Sequence, residues 1–422
     1  MDIQNLYRLF LESSGICTDT RLSCEKSLFF SLRGNNYDGN KFANEALEKG
    51  ANYVVVDDRS LNHPNYIFVD DVLESLQELS NFHRKSLKNT KIIALTGSNG
   101  KTTTKELIHC ILSTTYKTIS THGNLNNHIG VPLSLLQVKH ETEFAVIEMG
   151  ANHKGEISFL SNLVEPDFGL ITNFGKAHLE GFGSLDGVIK GKTELYHWLI
   201  ENKKTIFINY DDPIQKKFIS SKSINYGKNL SAKYSFTQNK NEMVEFVYNG
   251  NIIQSKLMGS YNFNNLITSF SVGLHFNINV EKIKNAIENY LPKNNRSEVI
   301  YLGGKKILLD AYNANPTSVI AALESFIKVS GSKAVLIGEM LELGDFSKKE
   351  HLRIINLLEK KKIKSFLVGD QFLQHQKISD NLFFFKNKED LISKFPLSKI
   401  HAENILIKGS RSIEMEKILE SI

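Results

Sequence analysis

From Leu95 to Thr103 the chain reads L-T-G-S-N-G-K-T-T, and Gly97, Ser98, Asn99, Gly100, Lys101, Thr102 and Thr103 could together hold a phosphate chain. A glycine-rich turn between a buried strand and a helix points backbone N–H groups at phosphate oxygens, and the positive helix end adds attraction. Lys101 would reach the outer phosphates and the Thr102 hydroxyl would bind Mg²⁺. A full G-x-x-x-x-G-K-[ST] loop would need glycine at Leu95, so this is a shorter G-x-x-G-K-T version. The plain alternative is a Gly-Asn turn with Lys101 facing solvent. The order strand, turn, Lys-Thr, helix favours the phosphate site.

Glu148 closes the apolar run of "AVIEMGANHKGE", at the strand end where open α/β sheets place ligand groups. A carboxylate there could hold Mg²⁺, or it could pair with a nearby lysine. His178 lies in "NFGKAHLEGFGS" at the same sheet edge, and a lone histidine is equally at home as a structural residue. Asn124, Asn126 and Asn127 crowd the loop "HGNLNNHIGVP". Their amides both donate and accept, which suits recognition of a neutral peptide or sugar beside phosphate and equally suits plain turn chemistry.

These residues need a scaffold of strands ending at one edge. Up to residue 88 short apolar runs alternate with helical patterns, the last through "LESLQELSNFHRKSL". The polar "KNTK" then precedes a fresh buried strand, "IIALTG", and strands and helices alternate on to "TIFINY". After "LPKNNR" a third set follows: strands "KILLDAY", "AVLIGEM", "KSFLVG" and "NILIKGS", intervening helices, and a last helix over "SIEMEKILE". Strands without polar alternation, separated by helices, form a parallel sheet covered on both faces. The expected fold is three consecutive α/β domains: 1–88, a central 89–296 with a mostly parallel sheet around the phosphate loop, and a Rossmann-like 297–422. Hinges are expected near residues 88–91 and 293–297.

With 422 residues the chain exceeds one ordinary core. Its net charge of +5 comes from lysines interleaved with acids, which reads as a solvated surface and against a nucleic-acid partner. Three cysteines without a C-x-x-C pair, no leader-like amino terminus and no apolar run near about 18 residues lead to an expectation of a reduced, cytoplasmic protein without a membrane partner. Nothing in the sequence requires a second copy, so a monomer is expected.

Taken together, TGSNGKTTT, HGNLNNHIGVP, EMGANHKGEI, NFGKAHLEGFGS, DAYNANPTS and GEMLELG resemble the Mur ligase family across essentially the whole chain. "DAYNANPTS" and "EMLELG" resemble the branch that joins D-alanyl-D-alanine to UDP-N-acetylmuramoyl-tripeptide (UDP-MurNAc-tripeptide) through an acyl phosphate, a step in peptidoglycan synthesis. The resemblance also accounts for the shortened loop, which this family uses.

The resemblance implies ATP and two Mg²⁺ ions. Gly97 and Ser98 to Thr103 would hold the phosphates, Thr102 and Glu148 one ion, and Glu148 with His178 the second. Lys192 in "GVIKGKTELY" matches a lysine that the family carbamylates into an anionic metal ligand, with Lys190 as the competing candidate. "GSYNFNNL" sets Asn262 near the adenine, with Asn265 beside it. Arg296 matches a nucleotide-reaching arginine, although Asn295 stands where the family usually has glycine. Asp310 and Tyr312 would meet the ribose side, while Asn313, Asn315 and Pro316 shape the closed site. "CTDTRLSCEKSLFFSLRGNNYDGNKF" resembles the uridine-binding segment, which makes Thr18, Asp19, Thr20, Arg21, Ser31, Leu32, Arg33, Gly34, Asp38 and Gly39 candidate contacts. Arg33 and Asp38 could equally form a surface pair worth at most about 1 kcal/mol. Lys408 and Arg411 in "KGSRSIEME" are candidates for the dipeptide carboxylate.

Overall fold

The computed structural model describes residues 1–239 and 241–422. Its central feature is a seven-stranded parallel sheet, ordered Tyr234–Ser235, Ser223–Gly227, Thr205–Asn209, Phe168–Ile171, Lys91–Thr96, Phe144–Glu148, Thr118–Ser120. The unalternated apolar runs are explained by burial on both faces. In Lys91–Thr96, Ile92 and Ala94 enter one core while Ile93 and Leu95 enter another, and Phe144–Glu148 divides likewise. The chain leaves Lys91–Thr96 for strands on one side and returns to Phe168–Ile171 on the other. This is the topological switch point, where an open α/β sheet forms a crevice beyond its carboxyl ends.

The amino-terminal part carries a four-stranded parallel sheet, Ile16–Cys17, Leu28–Phe30, Tyr53–Val56 and Tyr66–Phe68, in sequence order. Its helix Val72–Ser86 is braced onto the central part. Gln77 donates to His128 O (2.9 Å), the His83 ring meets Val138 O (2.7 Å), Asn81 donates to Leu163 O (2.9 Å) and Arg84 to Val164 O (2.9 Å). The junction near 88–91, expected to hinge, is therefore bridged by polar contacts, of which that of His83 is buried.

The carboxyl-terminal part has six strands ordered Glu298–Leu302, Lys305–Asp310, Asn404–Lys408, Lys333–Gly338, Lys364–Val368, Leu382–Phe385, all parallel except the first. Its core is continuous with that of the central part, since Val319, Leu323 and Ile337 share an apolar cluster with Leu160 and Phe182.

Two elements depart from the expectation. Thr237–Gln238, Met243–Tyr248 and Asn251–Met258 form a three-stranded antiparallel sheet that is not among the expected elements. The last segment is not an α-helix: Arg411–Ile413 and Met415–Ser421 are 3₁₀ turns interrupted at Glu414, whose φ is 52°. The buried Met415 and Ile418 lie three residues apart, which suits a three-residue turn.

Candidate active site

Gly97 and Gly100 adopt φ of 145° and 78°, the region that favours glycine. A Cβ on Gly97 would lie 2.0 Å from Thr172 Oγ1, and one on Gly100 2.4 Å from Asn265 Oδ1. The loop is held from the neighbouring strand end: Thr172 Oγ1 donates to Asn99 O (2.6 Å), Asn173 Oδ1 accepts from Asn99 N (3.1 Å), and Ser98 Oγ donates to Gly175 O (3.0 Å). The helix Lys101–Leu112 starts directly at Gly100, as an anion site at a helix N-terminus requires. Lys101 Nζ donates to Gly97 O (2.7 Å). Burial pulls its pKa below the ordinary lysine value, against the opposing pull of Glu148.

This loop forms one wall of a cavity of about 850 Å³. Of the residues expected at the site, the cavity is lined by Ser98, Asn99, Gly100, Lys101, Thr102, Thr103, Asn124, Asn126, Asn127, Glu148, His178, Asn262, Arg296, Asp310, Tyr312, Asn313 and Lys408. Thus residues of the central and carboxyl-terminal parts meet at one place.

Glu148 is 1% exposed. Its Oε1 accepts from Asn126 Nδ2 (2.8 Å), Oε2 has no hydrogen-bond partner, and Lys105 Nζ lies 3.6 Å from Oε2. Both sequence readings are therefore present, a lysine pair and a carboxylate oxygen left over at the cavity wall. Among the described residues no three His, Cys, Asp or Glu side chains gather to hold a metal alone. The Thr102 hydroxyl and the spare Glu148 oxygen are hard oxygen donors suited to Mg²⁺, an ion that usually completes its shell with phosphate and water.

His178 has φ of 52° and sits 2.5 Å from Glu342 through Nδ1, without the alignment of a hydrogen bond. That imidazole holds the Glu342 carboxyl below its usual pKa. Glu342 belongs to "EMLELG", which the sequence singles out by resemblance without assigning that residue a contact.

Lys192 lies outside the cavity lining, 1% exposed, with Nζ donating to Ala151 O (3.1 Å) and facing the Phe182 ring. Burial, and after it the charge of Lys101, pulls its pKa well down. Lys190 is exposed and paired with Asp186 at 2.8 Å, which raises its pKa. Of the two, Lys192 is the one whose burial favours the neutral amine that carbamylation requires.

The junction before the third part is unusual in backbone. Asn294, Asn295 and Ser297 have φ of 60°, 58° and 50°. Asn295 thus occupies the conformation that glycine would, and asparagine tolerates it better than most residues. Arg296 stacks on the Tyr312 ring at 3.6 Å. Ser297 Oγ bridges the Tyr261 hydroxyl (3.0 Å) and Asn262 Nδ2 (3.2 Å), and Asn265 donates in turn to Asn262 Oδ1 (2.9 Å).

Asn315 caps the helix Pro316–Phe326 in a capping box with Ser318, and its Nδ2 donates to Asn99 Oδ1 at 2.6 Å. Lys176 N donates to Thr317 Oγ1 (2.8 Å) while its Nζ reaches the buried Glu350 at 2.5 Å. The third part is thus docked on the phosphate loop. Lys408 is committed to Asp310 Oδ2 (2.6 Å) and Asn313 O (3.1 Å). Arg411 is paired with Glu416 away from the cavity.

The amino-terminal candidates form a separate cluster. Arg33 pairs with Asp57 (2.8 Å) and stands 3.5 Å from Asp38, Arg21 pairs with Asp19 (2.6 Å), and Thr20 and Ser31 are buried. The Ser31 hydroxyl lacks a partner, and Gly34 lies in the exposed hairpin Arg33–Gly34/Tyr37–Asp38. None of these lines the cavity. Lys105 is the principal residue the sequence analysis passes over, and its place one helical turn after Lys101 is the signal that would have found it.

Comparison with known proteins bears on this geometry. Residues 95–273 match the model for the Mur ligase middle domain, and 295–411 that for the Mur ligase, glutamate ligase domain. A Bacillus subtilis (strain 168) relative named UDP-N-acetylmuramoyl-tripeptide–D-alanyl-D-alanine ligase is 34% identical over 97% of this chain and 93% of its own. A relative of the same name from Escherichia coli (strain K12) is 32% identical over 96% and 93%. A crystal structure of MurF from Acinetobacter baumannii superposes with a TM-score of 0.87 at 26% identity, covering 99% of this chain and 97% of that one. The Thermotoga maritima MurF ligase, solved in complex with ADP, shares the fold at a TM-score of 0.84 and 23% identity, over 98% and 97%.

Proposed function

Because the chain belongs to the Mur ligase family, we propose that it is an ATP-dependent ligase that joins D-alanyl-D-alanine to UDP-MurNAc-tripeptide, completing the pentapeptide precursor of peptidoglycan. The observation that carries this reading is the convergence of the phosphate loop, the Asn-rich loop and the DAYNANPTS segment on one cavity.

The substrate carboxylate attacks the γ-phosphorus of ATP, forming an acyl phosphate and releasing ADP. The amine of D-alanyl-D-alanine then adds to the acyl carbon, loses its proton, and expels phosphate as the amide forms. Lys101 and the helix N-terminus behind it stabilise the charge on the transferring phosphoryl group. Mg²⁺ held through Thr102 and Glu148 would supply charge neutralisation of the phosphates, with a second ion near His178. Lys192 would support this arrangement as a carbamate: its amine adds through nitrogen to CO₂ and releases one proton to solvent, and the remaining N–H can keep its bond to Ala151 O. Arg296 and Tyr312 form a flat wall for the nucleotide, beside Asn262 and Asp310.

The segments divide this work. Residues 1–88 bind the uridine end through Thr20, Arg21, Ser31, Arg33, Gly34 and Asp38. Residues 89–296 bind ATP, and 297–422 bring the dipeptide, with Asn313 shaping the closed site and Arg411, paired with Glu416 outside the cavity lining, not its partner in this arrangement. Lys408 would serve by holding Asp310 and the Asn313 carbonyl in place. The enzyme works as a cytoplasmic monomer on small molecules, without nucleic-acid or membrane partners. Among the described residues no helix is long and apolar enough to cross a membrane.

The test is phosphate release from Mg-ATP and UDP-MurNAc-tripeptide across a panel of amines. D-alanyl-D-alanine is expected to support turnover, and L-lysine, diaminopimelate and L-glutamate are not. Release indifferent to the amine would point to a non-ligase ATPase, and a different preferred amine to another member of the family.

A further inference from the structure

Lys105 is buried to 1% exposure inside the machinery just described, yet none of the steps above uses it. It stands one turn after Lys101 on the phosphate-loop helix, so the two ammonium groups share a helix face. Its Nζ donates to Gly123 O at 3.1 Å and lies 3.6 Å from Glu148 Oε2. Gly123 opens the Asn-rich loop, which is tied to the same strand end by Asn126 Nδ2 on Glu148 Oε1 (2.8 Å), Gly150 N on Asn126 O (2.7 Å) and Glu148 N on Thr121 Oγ1 (3.0 Å). Among the described residues Lys105 is the one side chain that joins the phosphate helix to that loop and to the carboxylate together.

Stability alone gives little reason for a lysine here. Taking an ammonium out of water is costly, and a well-packed apolar residue in place of a buried ion pair is often neutral or stabilising. What an apolar side chain could not do is grip the Gly123 carbonyl and the carboxylate at once. We propose that Lys105 is a positioning residue that holds the Asn-rich loop in register with the phosphate loop, so that Asn124, Asn126 and Asn127 meet the UDP-linked peptide substrate beside the phosphates. The inference rests on the ligase reading above and deepens it by naming what sets the substrate loop.

The test is calorimetric titration of UDP-MurNAc-tripeptide into the full chain without nucleotide or metal. Glu148→Gln, which keeps the lysine tether, is expected to bind within about twofold of the parent. Lys105→Met/Glu148→Gln, which buries no unpaired charge, is expected to bind about tenfold more weakly, the effect of losing a charged hydrogen bond. In steady state, Lys105→Met is expected to raise KM for the UDP substrate far more than KM for ATP, and Lys105→Arg to restore part of the difference. Equal affinity of the double variant and the parent overturns the positioning role. Proportionate weakening of ATP and UDP-substrate use, with no rescue by arginine, overturns it as well, because a structural role alone would produce that. A parent chain that does not bind UDP-MurNAc-tripeptide instead overturns the ligase reading. Should Lys105→Met fold poorly, the double variant carries the decision.

Discussion

Lys101 and Lys192 are both lysines whose pKa burial lowers, yet their surroundings suit them to opposite uses. Lys101 lines the cavity at the start of a helix, where a phosphate would favour its charged form. Lys192 sits outside that lining, where burial favours the neutral amine although the Phe182 ring and the Ala151 carbonyl face its Nζ. Replacement of Lys101 by alanine is expected to lower kcat by about a hundredfold or more, the usual loss when a transition-state charge partner goes. Binding of UDP-MurNAc-tripeptide, measured by calorimetry, should survive, because the amino-terminal cluster is separate from the phosphate wall. Equal loss of both would contradict the division of labour. At this scale the glycine-lysine-threonine loop and the acidic strand end are legible in the sequence, since each depends on local order. Lys105, Glu342 and Glu350 are not, because their roles come from contacts with residues distant in the chain.

Among the elements, the parallel strands are the most legible. Ile92 to Leu95 and Ile405 to Ile407 are buried on both faces, and that burial writes an unbroken apolar run. The antiparallel sheet of Thr237–Gln238, Met243–Tyr248 and Asn251–Met258 is harder to read because one face is wet and its strands carry Glu245, Gln254 and Lys256. A signal is nevertheless present: Asn249 and Gly250, with φ of 46° and 80°, form the Asn-Gly turn that favours a tight hairpin. The helix Pro316–Phe326 offers a test of how an element serves the site. Asn315 caps it and also reaches Asn99, so Asn315→Ala should cost about 1 kcal/mol in urea unfolding from the cap alone. Asn315→Ser should keep the cap and most of the stability, while its shorter side chain gives up Asn99 and slows turnover. Matching losses of stability and activity in both variants would assign Asn315 to the helix only.

At the level of the whole molecule the two junctions behave differently. The first is bridged by Gln77, Asn81, His83 and Arg84, so the amino-terminal and central parts form a common frame. The second runs through three residues with positive φ and is tied to the central part by Ser297 on Tyr261 and Asn262, and 294–297 is where the third part is expected to swing. Among the contacts that hold that part down are those of Asn315 with Asn99, of Thr317 and Glu350 with Lys176, and of Ser325 with Ser260. Glu350 is 1% exposed, so its charge in the docked state is matched by Lys176 and, at 3.6 Å, by Arg353. Glu350→Gln is expected to weaken docking by about 1.5–3 kcal/mol, the range for a charge-assisted hydrogen bond. Small-angle scattering should then give a larger radius of gyration without nucleotide, moving back toward the parent value when ATP and UDP substrate are added. An unchanged radius would mean that the apolar core shared across the junction holds the parts together without this pair.

The central claim is that the phosphate loop and the peptide-recognising loop act on one carboxylate. It is tested most directly with UDP-MurNAc-tripeptide carrying ¹⁸O in its terminal carboxylate, incubated with Mg-ATP and D-alanyl-D-alanine. The account predicts a UDP-linked product heavier by one dipeptide less water, and one ¹⁸O carried into the released phosphate for each amide formed. Phosphate that carries no label, or that is released without a heavier product, would contradict it.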